Sequence, residues 1–105
     1  MFGFGKKVNA NEVTGQVLAH QALLIDVRSN QEWDSGHAKH ALHLSLERIL
    51  SGQLPTADSS KKVYFYCASG ARASMATDYL RRRGFVAENL GGLHGWKSGG
   101  GAIEQ

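Results

Sequence analysis

Two short and almost uninterrupted apolar runs, at residues 23–27 and 63–66, constrain the fold of this chain more than any other feature. Continuous apolar segments of this length are typical of strands that are buried on both faces, as in parallel sheets. Weaker strand signals lie at residues 41–46 and 86–90, and segments with helical spacing separate the strands. This alternation predicts an α/β fold, in which a parallel sheet carries helices on both faces and the crossovers are right-handed.

The helical segments carry start and stop signals. Asn9 is followed three residues later by Glu12, which is the spacing of a helix N-terminal cap. The later, longer helix is predicted to stop at Gly84, because glycine tolerates the left-handed conformation of a helix end, and Phe85 is placed to make the hydrophobic contact that follows. Residues 46–50 predict a single helical turn.

The chain has 105 residues and neither an internal repeat nor a long linker, which predicts one domain over residues 1–105 with a core at about residues 8–98. The glycine-rich end, residues 99–105, is expected to form a flexible tail, and the opening residues 1–5 are expected to be loose. The beginning of the chain lacks the apolar run of a secretion signal, and no stretch approaches about 18 apolar residues. We therefore expect a cytoplasmic domain that does not enter a membrane.

The charge balance is mild. Twelve Lys and Arg against nine Asp and Glu give a formal net charge of +3, which is far from the basic stripe of a nucleic-acid-binding domain. The one basic run, residues 81–83, is interpreted as a solvated helix end, because cations are favourable at a helix C-terminus. No nucleic-acid partner is predicted.

Cys67 is the only cysteine, which excludes an internal disulfide and a cysteine-rich metal site within one chain. A single cysteine is usually a small buried hydrophobe, but Cys67 directly follows the strand at residues 63–66 and precedes a helix start. Ligands of parallel α/β sheets bind beyond the carboxyl ends of strands. If the loop curls, the backbone amides of residues 68–72 converge on the sulfur, and the helix dipole adds positive charge. Both effects favour a thiolate, which is the nucleophilic form.

The side chains of the loop fit the same interpretation. Ala68, Ser69 and Ala71 are small enough to let an anionic substrate reach the backbone, and Gly70 permits the positive φ that a curled loop needs. Arg72 is expected to contact the anionic end of a substrate, the alternative being that it only ties the loop in place. These five residues are the predicted substrate-binding set, and Cys67 is the predicted nucleophile.

Ordered motifs extend this pattern along the chain. They are Leu24-Ile25-Asp26-Val27-Arg28, Glu32-Trp33, Gly36-His37, Cys67-x-Ser69-Gly70-x-Arg72, and Gly91-Gly92 with Trp96. In this order and spacing the chain resembles the single-domain rhodanese (thiosulfate sulfurtransferase) family. The resemblance implies a central five-stranded parallel sheet and a sulfane sulfur carried as a persulfide on Cys67. It also implies a thiosulfate or persulfide donor, a small thiol or a protein as the thiophilic acceptor, and no cofactor.

The length of the loop bears on two alternatives. Cys67 to Arg72 is C-x4-R, whereas phosphatases and arsenate reductases of similar fold carry one more residue. A phosphatase or arsenate reductase therefore stays a second hypothesis, and a non-catalytic interaction module is a third. Residues 68 and 73 are alanine where Arg and Ser are frequent in the family. Arg72 is then the only cation in the loop, and this departure counts against thiosulfate as the donor more than against persulfide chemistry.

The remaining polar candidates are interpreted structurally. Asp26 and Arg28 are predicted to form a buried ion-pair network, with Glu32 as a possible partner. Ser69 either donates a hydrogen bond to the sulfur or caps the following helix. Trp33 and Trp96 are expected in the core or in a pocket wall. The histidines at positions 37, 40 and 43 predict no metal site, because a strand would turn the last two to opposite faces.

Overall fold

The computed structural model describes residues 8–105, so the prediction for residues 1–5 lies outside the described part. The elements follow one another as five helices and six strands within this range. They are α1 (Ala10–Leu18), β1 (Ala22–Asp26), α2 (Asn30–Asp34), β2 (His37–Ala38), β3 (Leu42–His43), α3 (Leu46–Leu50), β4 (Lys62–Cys67), α4 (Ala71–Arg81), β5 (Ala87–Gly92), α5 (Leu93–Ser98) and β6 (Ile103–Glu104).

The main sheet is parallel and has the strand order β3-β1-β4-β5. The predicted α/β class and parallel sheet are confirmed. Within residues 8–105 this sheet has four strands, whereas the resemblance implied five, and β2 pairs separately and antiparallel with β6. The reason lies in the amides at β2, since Ala38 N donates to the Tyr66 hydroxyl at 2.9 Å and Lys39 N donates to the Ala102 carbonyl at 2.9 Å.

Alternate residues of the central strands bury their side chains on opposite faces. On one face, Ile25, Val63 and Phe65 pack with α3 and α4. On the other face, Leu24 and Tyr64 pack with α1 and α5. Both faces of the sheet are therefore covered by helices, which explains why the strands are apolar without interruption.

The predicted signals for the start of α1 and for the end of α4 are both present in the structure. The Asn9 side chain accepts a hydrogen bond from Glu12 N at 3.1 Å, which caps α1. After α4, Gly84 has φ +87°, and Phe85 N donates to the Leu80 carbonyl at 3.2 Å. Phe85 is buried against Leu80 in the core. Helix α4 therefore ends in the glycine-dependent turn that the sequence predicted.

The glycine-rich end of the chain, which the sequence predicts as a flexible tail, includes the short strand β6 that pairs with β2. Ile103 pairs with Ala38 in the β2–β6 ladder. Just before it, the Ala102 carbonyl accepts a hydrogen bond from the Trp96 indole Nε1 at 2.9 Å. Composition alone misses this arrangement, because the strand partner of Ile103 lies more than sixty residues away at β2. Residues 8–105 contain no helix that is long and apolar enough to cross a membrane.

Candidate active site

Cys67 is the last residue of β4, which pairs with β1 on one side and β5 on the other. The loop that follows is shorter than predicted, because α4 already begins at Ala71 and only residues 68–70 separate strand from helix. Gly70 occupies the N-cap position of α4 with φ +100°, a conformation that glycine adopts without steric cost. Arg72 consequently lies in the first turn of α4.

The sulfur of Cys67 accepts hydrogen bonds from two backbone amides. Gly70 N lies 3.0 Å from Sγ and Ala73 N lies 3.4 Å from it. Gly70 belongs to the predicted set of amides at residues 68–72, whereas Ala73, in the first turn of α4, lies just beyond that set. The sulfur thus takes the place of a capping side chain at the N-terminus of α4, where the helix dipole favours negative charge.

The sulfur is buried, whereas most residues of the loop that follows it are exposed to solvent. Cys67 has a relative exposure of 0%, whereas Ala68, Ser69 and Ala71 are exposed. Within residues 8–105 the Ser69 hydroxyl neither bonds to Sγ nor caps α4, whose N-cap residue is Gly70. The sulfur is therefore buried, and three residues of the surrounding segment face solvent.

Strand β5 fixes this loop from behind. A side-chain carbon at Gly92 would overlap the Ala68 carbonyl, and a Cβ at Gly70 would lie 3.3 Å from Gly91 Cα. The Asn89 side chain spans the two segments, donating to the Gly70 carbonyl at 3.1 Å and accepting from Gly91 N at 2.7 Å. Gly92 and Gly70 thus let the two backbones approach closely, whereas Gly91 has open space at its Cα and a positive φ of +92°. Asn89 carries no signal in the sequence that could have identified it.

Arg72 forms a two-point ion pair with Glu32 of α2. Its Nη1 lies 2.7 Å from Oε1 and its Nη2 lies 2.9 Å from Oε2. Hydrogen bonds from Arg72, then from the Ser29 amide, lower the pKa of Glu32 to about 2. The sequence proposed Glu32 as a partner of Asp26 and Arg28, and the structure corrects this. The missed signal is Ser29-x-x-Glu32, a capping box that starts α2 and holds Glu32 in place.

Asp26 and Arg28 form the predicted buried network at the end of β1. Arg28 Nη2 lies 2.7 Å from Asp26 Oδ2 and 2.6 Å from the Gly36 carbonyl. The Tyr66 hydroxyl donates to the same Asp26 oxygen at 2.6 Å. Burial, followed by this hydrogen bond, raises the pKa of Tyr66 above its ordinary value. The network ties β1, β4 and the turn before β2 together, so it is structural, as expected.

The histidines are arranged around Trp33. His37 stacks on the indole with ring centroids 3.4 Å apart, and His43 stacks with centroids 5.0 Å apart. His37 Nδ1 also lies 3.0 Å from the Trp33 carbonyl, so the ring is held by a structural contact. No group of three or more His, Cys, Asp or Glu side chains in residues 8–105 is placed to hold a metal ion. His94 is exposed at the start of α5.

The basic run at residues 81–83 takes local partners. Arg81 Nε donates to the Ala87 carbonyl at 2.8 Å, and Arg82 pairs with Asp78 at 3.0 Å. The Arg83 guanidinium lies 3.6 Å from the centroid of the Tyr79 ring. This arrangement is the helix end that the sequence analysis favoured.

The structure has a parallel sheet with helices on both faces, and a buried cysteine at the carboxyl end of a central strand caps the next helix. These features define a class of α/β domains built around one thiol. The chain belongs to the rhodanese-like domain family, whose model matches residues 9–99. Among solved structures, the rhodanese-like domain protein from Staphylococcus aureus is similar, with a TM-score of 0.72 and 26% identity over 96% of this chain and 100% of that one. A Rhodanese_3 like domain from Anabaena is 30% identical, with a TM-score of 0.69 over 80% of this chain and 99% of that one.

Curated relatives are much longer than this chain. The tRNA uridine(34) hydroxylase of Hamiltonella defensa is 33% identical over 77% of this chain and 24% of its own length. That of Cronobacter sakazakii is 30% identical over 95% of this chain and 28% of its own length. The chain therefore spans about a quarter of the curated relatives that it matches.

Proposed function

We propose that this domain is a sulfurtransferase, in which Cys67 takes a sulfane sulfur from a donor and passes it to a thiophilic acceptor. The observation that carries the proposal is the position of Sγ, which accepts two amide hydrogen bonds at the N-terminus of α4. Donors of this kind stabilise negative charge on the sulfur. The C-x4-R loop between Cys67 and Arg72 supports the same choice over a phosphatase or arsenate reductase.

The reaction has two steps. The Cys67 thiolate attacks the outer sulfur of the donor, so that a new S–S bond forms while the donor's own bond to that sulfur breaks. The leaving group, sulfite from thiosulfate or a thiolate from an organic persulfide, departs with the electron pair. An acceptor nucleophile then attacks the outer sulfur of the Cys67 persulfide and regenerates the thiolate, which is a ping-pong scheme.

The loop has a defined part in each step. The amides of Gly70 and Ala73 donate to the sulfur and stabilise its negative charge, and the small side chains at positions 68, 69 and 71 leave room for a donor beside it. Because Cys67 is fully buried, we infer that a donor approaches its sulfur from the side of the exposed residues Ala68, Ser69 and Ala71. The acceptor, a small thiol or a protein thiol, must approach from the same side.

The names of the relatives do not extend this proposal. They are called tRNA uridine(34) hydroxylases, and the hydroxylation of a tRNA base is attributed to proteins about four times as long as this chain. The proposal therefore concerns the sulfur chemistry of the loop, which lies within the part that is shared.

The test is the direct detection of the persulfide. The protein is incubated with thiosulfate or with glutathione persulfide, and intact-mass spectrometry should find one added sulfur atom that peptide mapping places on Cys67. Cyanide should remove the adduct and release thiocyanate. The Cys67→Ser variant should carry no adduct. An unmodified wild-type protein with both donors, or undiminished thiocyanate formation by Cys67→Ser, would contradict the proposal, and Cys67-dependent hydrolysis of an aryl phosphate would favour the phosphatase.

A further inference from the structure

We propose that Glu32 determines the donor, by neutralising the only cation of the loop and thereby favouring organic persulfides over dianionic thiosulfate. This inference rests on the proposed sulfurtransferase function and adds the class of substrate to it. Glu32 acts through Arg72, so it is a specificity-determining residue that does not itself contact the reacting sulfur.

The hydrogen bonds of the Arg72 guanidinium go to a single carboxylate, that of Glu32. Both terminal nitrogens of its guanidinium bind the two carboxylate oxygens of Glu32, at 2.7 and 2.9 Å. This is the fork-to-fork arrangement that gives the strongest carboxylate–guanidinium pairs. An anionic donor must compete with this carboxylate for the same nitrogens.

The ion pair is partly accessible to solvent, because the side chains of Arg72 and Glu32 are 36% and 34% exposed. Arg72 directly follows the exposed residue Ala71 in the first turn of α4. Arg72 is also close enough to Cys67 for the two groups to interact electrostatically. A donor that enters past Ala71 therefore meets a guanidinium whose charge is already balanced.

The carboxylate stays charged under all physiological conditions. The hydrogen bonds from Arg72, followed by the backbone hydrogen bond from Ser29, lower the pKa of Glu32 to about 2. Ser29 Oγ also accepts from Glu32 N in the capping box at 3.2 Å, which fixes the residue at the start of α2. Neutralisation of Arg72 is thus a built-in property of the folded loop.

The charges of the two donor classes decide the consequence. Thiosulfate brings two negative charges and releases the sulfite dianion, so its transfer needs a cation near the leaving group. An organic persulfide brings one negative charge at most on its sulfurs and releases a thiolate. The residues from Ala68 to Ala71 include no charged side chain. The negative charge of the donor is therefore stabilised by backbone amides alone, and amides stabilise one negative charge more readily than two.

The experiment compares kcat/KM for thiosulfate and for glutathione persulfide in the wild type and in Glu32→Gln. We expect the wild type to prefer the persulfide and Glu32→Gln to raise kcat/KM for thiosulfate about tenfold relative to the persulfide, which is the effect of one charge-assisted hydrogen bond. Glu32→Asp keeps the charge and should keep the persulfide preference. Asp58→Asn removes one negative charge in the loop before β4, at the opposite edge of the sheet, and should change neither value.

A second variant keeps the proposal testable if Glu32→Gln disturbs the fold of the loop. Ala68→Arg adds a cation without touching the ion pair and should also raise kcat/KM for thiosulfate relative to the persulfide. A wild-type preference for thiosulfate, or equal effects of Glu32→Gln on both donors, would overturn the role of Glu32. Absence of any persulfide on Cys67 with either donor is a different failure, because it overturns the sulfurtransferase function itself.

Discussion

Two buried residues at the carboxyl edge of the sheet have different roles: Cys67 is the proposed nucleophile, and Asp26 is structural. Cys67 and Asp26 end neighbouring strands, and both have a relative exposure of 0%. Among residues 8–105, the donors to the Cys67 sulfur are two backbone amides, at 3.0 and 3.4 Å. Asp26 instead accepts from a guanidinium and a phenol. A carboxylate with its charge matched on both oxygens is poorly suited to proton transfer, which is why the sequence interpretation of Asp26 as an anchor agrees with the structure.

The Tyr66 hydroxyl links this anchor to the strand beyond it. It donates to Asp26 Oδ2 at 2.6 Å and accepts from Ala38 N at 2.9 Å. We expect Tyr66→Phe to lower the free energy of unfolding by about 1–3 kcal/mol, because a buried carboxylate oxygen loses a donor and a buried amide loses its acceptor. Urea denaturation followed by circular dichroism measures this change.

Tyr79 provides the matched control for that measurement. Within residues 8–105 its hydroxyl takes part in no hydrogen bond, and its ring contacts Arg83 at the surface. Tyr79→Phe should therefore change the free energy of unfolding by less than about 0.5 kcal/mol. Equal effects of the two substitutions would show that the buried Tyr66 bridge contributes nothing specific.

At the scale of elements, the active loop depends on β5 as much as on β4 and α4. The register between β4 and β5 shifts between Phe65 and Cys67, so that Cys67 pairs with Gly92. At this point the backbone of Gly92 lies so close to the Ala68 carbonyl that there is no room for a side chain. The geometry of the sulfur site is thus set by the contact between two backbones.

Gly92→Ala tests this contact. Gly92 has φ −104°, so an alanine is not strained by its own backbone, and the overlap with Ala68 is the only cost. We expect the loop to move and the rate of persulfide formation on Cys67 to fall about tenfold to a hundredfold, because small displacements in a reactive site have effects of this size. Single-turnover mass spectrometry with a persulfide donor measures the rate.

Gly15→Ala is the control for the glycine substitution. Gly15 lies inside α1, and a Cβ there would meet nothing within 4 Å. Alanine in a helix interior should raise the free energy of unfolding by about 0.5–1 kcal/mol, with persulfide formation unchanged. A normal rate in Gly92→Ala would contradict the claim that β5 positions the loop.

The elements that the sequence predicted share a strong local signal. The aromatic and β-branched run of β4, the Asn9 cap of α1 and the Gly84 end of α4 are all encoded within a few residues. Those that it missed, β2 and β6, have two residues each and exist through contacts between distant segments. The same holds in the site, where the position of Cys67 follows from β4 but its contact with Ala73 and the pairing of Glu32 with Arg72 depend on where helices begin.

At the scale of the whole molecule, contacts near the site connect the first half of the chain to the second. Helix α2 follows β1, α4 follows β4, and the Glu32–Arg72 pair connects them across forty residues of sequence. The Asp26–Tyr66 hydrogen bond spans the same separation between the strands. One of these links is fully buried and the other is partly exposed. Global stability should respond to pH through the Glu32–Arg72 link, because folding lowers the pKa of Glu32.

The direction of that response follows from the pKa of Glu32, which folding lowers from 4.5 to about 2. A carboxylate with a lowered pKa stabilises the folded state fully above the unfolded value, and this contribution is lost as the pH falls toward the folded value. We expect Glu32→Gln to be less stable than the wild type at pH 7, by about 1 kcal/mol because solvent screens a pair that is one-third exposed. The difference should shrink between pH 4.5 and about 2. Urea denaturation of both proteins across this range measures it, with Asp78→Asn, which breaks the more exposed pair with Arg82, expected to cost less than about 0.5 kcal/mol at pH 7. A stability difference between wild type and Glu32→Gln that stays constant down to pH 2 would mean that Glu32 acts through packing or capping and not through its charge.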